Sequence, residues 1–64
     1  MCESDAYVLR EGEESLLMEA VSRLDVEGGR LVLIDVMGRR KEIEGVIQRI
    51  DFEGHRVFIK KTGD

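Results

Sequence analysis

One stretch decides the fold: Lys41-Glu42-Ile43-Glu44-Gly45-Val46-Ile47-Gln48-Arg49-Ile50-Asp51-Phe52. It is long for one β-strand, and its apolar side chains change from one face to the other partway along. Its apolar side chains fall on two parities, Ile43 and Ile47 on one, and Val46, Ile50 and Phe52 on the other. The apolar face therefore switches near Gly45. A bulge or bend at a glycine produces such a switch and carries one strand from one sheet into another. Because bent strands of this kind turn the corners of small barrels, the stretch predicts an all-β antiparallel barrel or sandwich.

Three shorter segments outside this stretch also have the composition of β-strands. They are Ala6–Arg10, Leu31–Val36 and Val57–Ile59. Glycine-containing turns separate the segments, at Glu11-Gly12-Glu13, Gly28-Gly29, Met37-Gly38 and Glu53-Gly54. These turns divide the chain into short lengths, as an all-β fold requires.

The segment Glu14–Leu24 allows two interpretations. Its apolar residues match the spacing of one helix face, at Leu17, Ala20, Val21 and Leu24. Residues 16–19 also alternate as in a strand that later bends. A lone short helix between hairpins would need a docking surface of its own, so we favour the strand. The whole chain then forms about six short antiparallel strands.

The size of the chain limits how it can be stabilised. With 64 residues it has room for one domain, residues 1–64, and one modest core. Hydrophobic residues make up 42%, an ordinary share for a folded protein. A core of this size supplies only about 3–5 kcal/mol, so small domains rely on disulfides, metals or partners. Cys2 is the only cysteine, which excludes an internal disulfide. We therefore expect a metal or a homodimer.

The net charge of −4 is spread along the chain, with acidic and basic residues interleaved. Nucleic-acid binders usually present a basic face, whereas the basic clusters Arg39-Arg40-Lys41 and Lys60-Lys61 are short. A nucleic-acid partner is therefore not expected. No apolar run is long enough to span a membrane, and residues 1–5 are acidic where a signal peptide is basic. With one thiol and no export signal, the expected compartment is the cytoplasm.

Cys2 is the residue that offers the most chemistry. Free cysteine is usually a small core residue, but this polar N-terminus offers little core to enter. Removal of Met1 would leave an α-amine and a thiolate on adjacent carbons of Cys2, and these two groups can close a five-membered chelate ring on a metal. If Met1 stays, its amine can chelate together with the Cys2 amide nitrogen and thiolate. Soft sulfur with nitrogen donors in a tetragonal arrangement favours Ni(II) or Cu(II).

His55 is the only histidine and lies in the turn Glu53-Gly54-His55-Arg56. Two interpretations stay open for it, an exposed turn residue without a task and an auxiliary metal ligand. A Cys2–His55 nucleophile dyad would lack an orienting group and an oxyanion-hole signature, so we expect no enzymatic activity. Met18 at strand spacing is expected in the core, and Met37 in a turn, rather than as thioether ligands.

Residues along nearly the whole chain resemble the CooT family of small nickel-binding proteins. The N-terminal half carries Met1-Cys2-Glu3, Ala6-Tyr7, Met18-Glu19, Val21 and Leu24. The C-terminal half carries, in the same order and spacing, Glu27-Gly28, Leu31-Val32-Leu33-Ile34-Asp35, Gly38 and His55-Arg56-Val57. Met-Cys-Glu at the start of a short acidic chain is the most specific of these features.

The resemblance implies an SH3-like barrel that forms a homodimer. It also implies one Ni(II) held between protomers by Cys2, for nickel delivery or storage during maturation of carbon monoxide dehydrogenase. The implied partners are a nickel enzyme or a nickel-insertion ATPase. His55 matches a histidine of the family pattern. Arg39-Arg40, after Gly38, is more basic than the acidic residue that the pattern leads us to expect.

A different class of function stays open from the residues alone. In that alternative the chain is a metal-free interaction module that binds RNA or a protein. Aromatic residues would then stack on bases beside the Arg39-Arg40-Lys41 turn. The chain has three candidates for this stacking, Tyr7, Phe52 and Phe58.

Overall fold

The structure, a computed structural model, describes residues 3–63, so Met1, Cys2 and Asp64 lie outside the described residues. The described part contains five strands: β1 (Ser4–Arg10), β2 (Glu13–Glu27), β3 (Arg30–Asp35), β4 (Arg40–Asp51) and β5 (Arg56–Lys61). Each strand pairs with the next, and β5 pairs with β1, so the sheet closes into a barrel. The prediction of a small all-β barrel is confirmed.

The strand directions around the barrel are antiparallel at four pairings and parallel at the fifth, between β1 and β5. The parallel pair follows from the odd number of strands, because the first and last of five alternating strands run the same way. About six strands, all antiparallel, were expected. Five strands are enough to close the barrel because β2 and β4 are long. The first half of β2 pairs with β1 and its second half with β3, and the first half of β4 pairs with β3 and its second half with β5.

The core lies inside the barrel, where alternate residues of the strands point. Its buried cluster consists of Ala6, Val21, Leu31, Leu33 and Ile59. Partly buried side chains pack against this cluster, namely Leu17, Met18, Leu24, Ile43, Ile47 and Val57. The two halves of the chain therefore share one core.

The conformation of β2 confirms that Glu14–Leu24 is a strand with a bend. β2 pairs with β1 as far as Val21 and with β3 from Val21 onward. The bend is at Ala20, whose φ of 55° is left-handed, a conformation that residues with a Cβ rarely adopt. The helix pattern arose because residues on either side of this bend face the same core.

β4 changes partners at Gly45, pairing with β3 over residues 40–44 and with β5 over residues 45–51. The expected bulge at Gly45 is wrong in position, because the ladder slips later, between Ile47 and Arg49. Ile43 and Ile47 both pack against the core on the same side of β4 as buried Gly45. The change of parity therefore begins only after Ile47.

Gly45 is required for a different reason, the close approach of two backbones. A Cβ added there would lie 2.7 Å from the Lys60 carbonyl oxygen and 3.1 Å from Ile59 Cγ2. Real Cβ atoms do not approach backbone oxygens this closely, so any side chain at this position displaces β5. The glycine permits the turn of β4 from one half of the barrel to the other.

Candidate functional site

The sequence-predicted nickel ligands, Cys2 and Met1, lie outside the described residues. The chain is held in place from Asp5 onward, three residues after Cys2. The Asp5 amide donates a hydrogen bond to the His55 carbonyl oxygen at 2.9 Å. A carboxylate oxygen of Asp5 accepts one from the Ala20 amide at 3.0 Å. The described part of the chain is therefore hydrogen-bonded to the barrel at a point three residues after Cys2.

These hydrogen bonds continue to the loop between β3 and β4, because the Val36 amide donates to the Ala20 carbonyl oxygen at 2.9 Å. The strand register agrees, since Ser4 lies opposite Val21 and Val21 lies opposite Asp35. The start of β1, the bend of β2, the β3–β4 loop and the β4–β5 turn thus meet at one place. We call it the N-terminal corner and define it as residues 3–5, 20, 36–37 and 52–55.

The bend of β2 at Ala20 connects the start of β1 to the β3–β4 loop within the N-terminal corner. Its left-handed backbone is costly for a residue with a Cβ. Both of its backbone polar groups are satisfied, the amide by Asp5 and the carbonyl by Val36. Sequence reasoning missed Asp5 and Ala20, and no signal marks them, because the bend occurs at a residue other than glycine and the acceptor lies far away in the chain.

Asp35 organises the β3–β4 loop that borders the corner. It is the one charged residue that is buried among those the structure describes, with 3% of its surface exposed. One carboxylate oxygen accepts from the Met37 amide at 2.9 Å and the Arg39 amide at 2.8 Å. The other pairs with Arg39 Nε at 2.7 Å. Burial by itself raises the pKa of Asp35, but the hydrogen bonds from Arg39 and Met37 outweigh it and hold the pKa below its ordinary value of 3.8.

Replacing Asp35 by asparagine is expected to lower Tm by about 10 °C at pH 7. The carboxylate has a folded-state pKa below 3.8, so its contribution to stability is present above that pH and is lost as pH falls through the folded pKa. The Tm difference between wild type and Asp35→Asn should therefore shrink below pH 3.8. Thermal melts between pH 2 and pH 7 measure this, with exposed Glu53→Gln as the control for removing one negative charge. An equal Tm difference at all pH values would contradict the ionic role of Asp35.

The β4–β5 turn places His55 at the corner. Asp51 holds this turn, because its carboxylate accepts from the Gly54 amide at 2.9 Å and from Arg56 Nη2 at 3.0 Å. The Gly54 hydrogen bond and then the Arg56 pair lower the pKa of Asp51. His55 is exposed and has a φ of 55°, a conformation that histidine tolerates better than most residues. Its backbone contacts Asp5, whereas a ligand role for its imidazole stays a prediction.

The two methionines expected to be structural are where the sequence placed them. Met18 is partly buried and packs against the core, and Met37 is 76% exposed in the β3–β4 turn. Neither position was expected to be a thioether ligand. Met37 nevertheless belongs to the N-terminal corner, which its position in the sequence did not reveal.

Among the described residues, the groove beside the Arg39-Arg40-Lys41 turn has no aromatic lining residue for the alternative RNA-binding function. Arg39, Arg40 and Lys41 line a groove of about 600 Å³. Its other lining residues are Leu16, Leu17, Met18, Glu19 and Asp35, without an aromatic ring. Phe58 is buried, with Tyr7 stacked on it at 5.6 Å and the Arg49 guanidinium 4.0 Å from its ring centroid. A base could reach the Phe58 ring only after displacing these neighbours.

Among residues 3–63, no three carboxylate, histidine or cysteine side chains come together as a set able to hold a metal ion. No helix in this range is long and apolar enough to cross a membrane.

Comparison with known proteins identifies the relatives of the chain. The family model described as CO dehydrogenase accessory protein CooT matches residues 1–60. An uncharacterised protein of Methanocaldococcus jannaschii is 35% identical over 60 residues, covering 94% of this chain and 98% of that protein. An uncharacterised protein of Methanothermobacter thermautotrophicus is 38% identical over 60 residues, covering 94% of this chain and 89% of that protein.

A solved structure has the same barrel. The crystal structure of a candidate CooT from Carboxydothermus hydrogenoformans matches with a TM-score of 0.90 and 29% sequence identity, covering 97% of this chain and 100% of that one. The family model matches from residue 1, so Cys2 lies within the matched range. The resemblance drawn from the residues is confirmed, and the protein belongs to the CooT family of CO dehydrogenase accessory proteins.

Proposed function

We propose that this protein is a nickel-binding accessory protein that supports maturation of carbon monoxide dehydrogenase or another nickel enzyme. It binds Ni(II) through Cys2, at the contact between two copies of the chain, and delivers or stores the metal without catalysing a reaction. Its partners would be the nickel enzyme or a nickel-insertion ATPase. The reducing cytoplasm suits this role, because it keeps the single thiol of Cys2 free.

The observation that carries the proposal is the match to a CO dehydrogenase accessory family over residues 1–60, a range that includes Cys2. Cys2 is the only residue in the chain that supplies a thiolate. Thiolate together with amine or amide nitrogen is a donor set that suits late transition metals. The family description and the donor chemistry of the N-terminus therefore point to the same cargo.

The arrangement of donors argues for two copies around one metal. One chain offers a single thiolate and its neighbouring nitrogen, which is half of a four-donor set. A two-fold axis duplicates any group that lies near it, so two N-termini would provide two sulfurs and two nitrogens. In each chain Asp5, three residues after Cys2, is hydrogen-bonded to His55 and Ala20 of its own barrel.

Nickel titration of the purified protein at different pH values tests the proposal. Binding must release the thiol proton, since cysteine coordinates as thiolate and has a reference pKa of about 8.5. We expect an ultraviolet thiolate-to-nickel band that grows with added Ni(II), and an affinity about tenfold weaker for each unit of pH below neutral per thiolate bound. Affinity that is independent of pH, with no such band, would contradict the proposal.

The same titration with His55→Asn separates the two interpretations of His55. Asparagine removes the imidazole but tolerates the left-handed backbone that His55 adopts, whereas alanine would add strain. Since Cys2 and its nitrogen supply the donors, we expect the nickel affinity to change less than about threefold. A loss of more than about tenfold would make His55 a ligand.

A further inference from the structure

The groove of about 600 Å³ beside the Arg39-Arg40-Lys41 turn lies along one edge of β2. Its lining consists of residues 16–19 of β2, Asp35 at the end of β3, and residues 39–41. β2 pairs with β1 as far as Val21 and with β3 only from Val21 onward. Among residues 3–63, no strand therefore pairs with residues 16–19 on the side that faces away from β1. We call this place the β2 groove.

A β-bulge lies in β2 at Leu17, within the groove. Two consecutive residues of β1 lie opposite Met18 and Leu16, so Leu17 is an extra residue with no position opposite it on β1. The Leu17 carbonyl oxygen accepts a hydrogen bond from Lys41 Nζ at 3.1 Å. Because this donor is a flexible and exposed side chain, the amide of another strand can replace it at the edge of β2.

The groove also differs in charge from the rest of the molecule. Its lining carries three cations, in the Arg39-Arg40-Lys41 turn, against the two carboxylates of Glu19 and Asp35. The whole chain, by contrast, has a net charge of −4. Complementary charge steers a partner to its site and discriminates against wrong partners. A positive groove on an acidic protein therefore favours an acidic partner.

Two of the three cations are available to a partner. Arg39 is held at 2.7 Å by the buried carboxylate of Asp35. Arg40 pairs with exposed Glu42 at 2.8 Å, and exposed ion pairs contribute little to stability, so exchange for another carboxylate costs little. Lys41 forms no ion pair with a carboxylate of the described residues. Arg40 and Lys41 can therefore bind carboxylates of another chain.

The remaining lining of the groove selects the kind of partner. Leu16 is 50% exposed at the groove and offers an apolar contact. No aromatic ring lines the groove, so bases of a nucleic acid would have nothing to stack on, and the net negative charge of the chain repels phosphates. An extended polypeptide suits the groove better, because it brings backbone amides to β2, an apolar side chain to Leu16 and carboxylates to the two cations.

We propose that the β2 groove binds an extended acidic segment of a partner protein, which adds to the free edge of β2 as a further strand. Side chains of a strand alternate between its two faces. A segment in which acidic and apolar residues alternate therefore presents carboxylates to Arg40 and Lys41 on one face and an apolar side chain to Leu16 on the other. None of the residues that line the groove is a proposed nickel ligand, so the inference goes beyond the proposed function and does not depend on it.

Fluorescence anisotropy of a labelled peptide tests the proposal. The probe is the heptapeptide Glu-Val-Glu-Val-Glu-Val-Glu, titrated with the metal-free protein at low salt, and the expected Kd is about 10–100 µM. Replacing each Glu of the peptide by Lys should abolish binding, because the charge is then wrong for the groove. Replacing each Val by Pro keeps the charge but removes alternate backbone amides, so it should weaken binding at least about tenfold if the peptide adds as a strand.

Variants of the protein locate the bound peptide. Arg40→Glu and Lys41→Glu should each weaken binding of the acidic peptide at least about tenfold, since each turns an attraction into a repulsion. Lys60→Glu makes the same change at an exposed lysine of β5 that does not line the groove, and should change the affinity less than about threefold. Thermal melts followed by circular dichroism verify folding, and Lys41→Gln takes the place of Lys41→Glu if that variant does not fold.

The outcomes distinguish an acidic peptide from other occupants of the groove. Binding that is lost in both groove variants and kept in Lys60→Glu would support the proposal. Absence of peptide binding, or equal weakening by Lys60→Glu and Lys41→Glu, would overturn it. An oligouridylate that binds more tightly than the peptide and is lost in Lys41→Glu would assign the groove to RNA instead. A mass by sedimentation equilibrium that differs between Lys41→Glu and the wild type would assign it to a second copy of the chain. Cys2→Ser should bind the peptide as the wild type does, so failure of the nickel site leaves this inference standing.

Discussion

Replacing Cys2 by serine is expected to weaken Ni(II) binding by more than about a hundredfold. Loss of an outer-shell partner of a ligand alone can cost tenfold to a hundredfold, and this change removes the ligand atom itself. A serine hydroxyl is a hard, protonated oxygen at neutral pH and cannot replace a soft thiolate on nickel. The ultraviolet thiolate-to-nickel band should disappear with the affinity, as competition titration and absorption spectra would measure.

The substitution isolates the sulfur atom well. Serine is as small as cysteine, so removal of Met1 should proceed as in the wild type and the nitrogen donors stay the same, which the mass of the intact chain verifies. Cys2 precedes the first strand, so Tm should change by less than about 2 °C. Tight nickel binding that survives Cys2→Ser would contradict the site and direct attention to His55 and the acidic residues.

Replacing Gly45 by valine is expected to destabilise the barrel by about 2–4 kcal/mol. Gly45 is buried at the point where β4 leaves β3 and begins to pair with β5. A Cβ there would lie 2.7 Å from the Lys60 carbonyl oxygen, so β5 must shift and its ladder with β4 must distort. Since a core of this size supplies only about 3–5 kcal/mol, most of the stability should be lost. Urea denaturation would measure the change.

Two neighbouring changes sharpen the test of Gly45. Gly45→Ala adds only the Cβ that meets Lys60, so it should already cost a large part of the effect of valine, and it remains measurable if the valine variant does not fold. Val46→Ala is the control, because Val46 is 48% exposed on the opposite side of the same strand and should cost less than about 1 kcal/mol. A denaturation midpoint unchanged in both glycine variants would rule out the close approach.

The fold class was readable from the sequence because it depends on local signals. Strand composition and glycine turns indicated all five strands, and the change of apolar parity predicted near Gly45 indicated that β4 serves two parts of the barrel. The position of the slip in β4 was missed. The pattern of side chains shows that a strand changes face but not at which residue, and the change was assigned to Gly45 because glycines often occur at bulges. A glycine that permits close packing and a glycine that permits a bulge look the same in the sequence.

Only part of the candidate site could be predicted from the sequence. Cys2 could be singled out because its chemistry is local to the N-terminus. Asp5 and Ala20 could not, because the hydrogen bond between them joins residues far apart in the chain and the left-handed backbone of Ala20 is not indicated by its residue type. Asp35 had a partial signal, a carboxylate at the end of an apolar run just before Met37-Gly38, as is common where an aspartate caps a turn.

The stoichiometry of the nickel complex, measured by native mass spectrometry at neutral pH, tests the central claim most directly. Two chains of 7.3 kDa carrying one nickel ion are expected, with the corresponding Cys2→Ser sample showing two chains and no nickel. The same spectra show whether Met1 is present. One nickel ion on each single chain, or nickel retained by the Cys2→Ser dimer, would contradict a metal shared between two Cys2 residues.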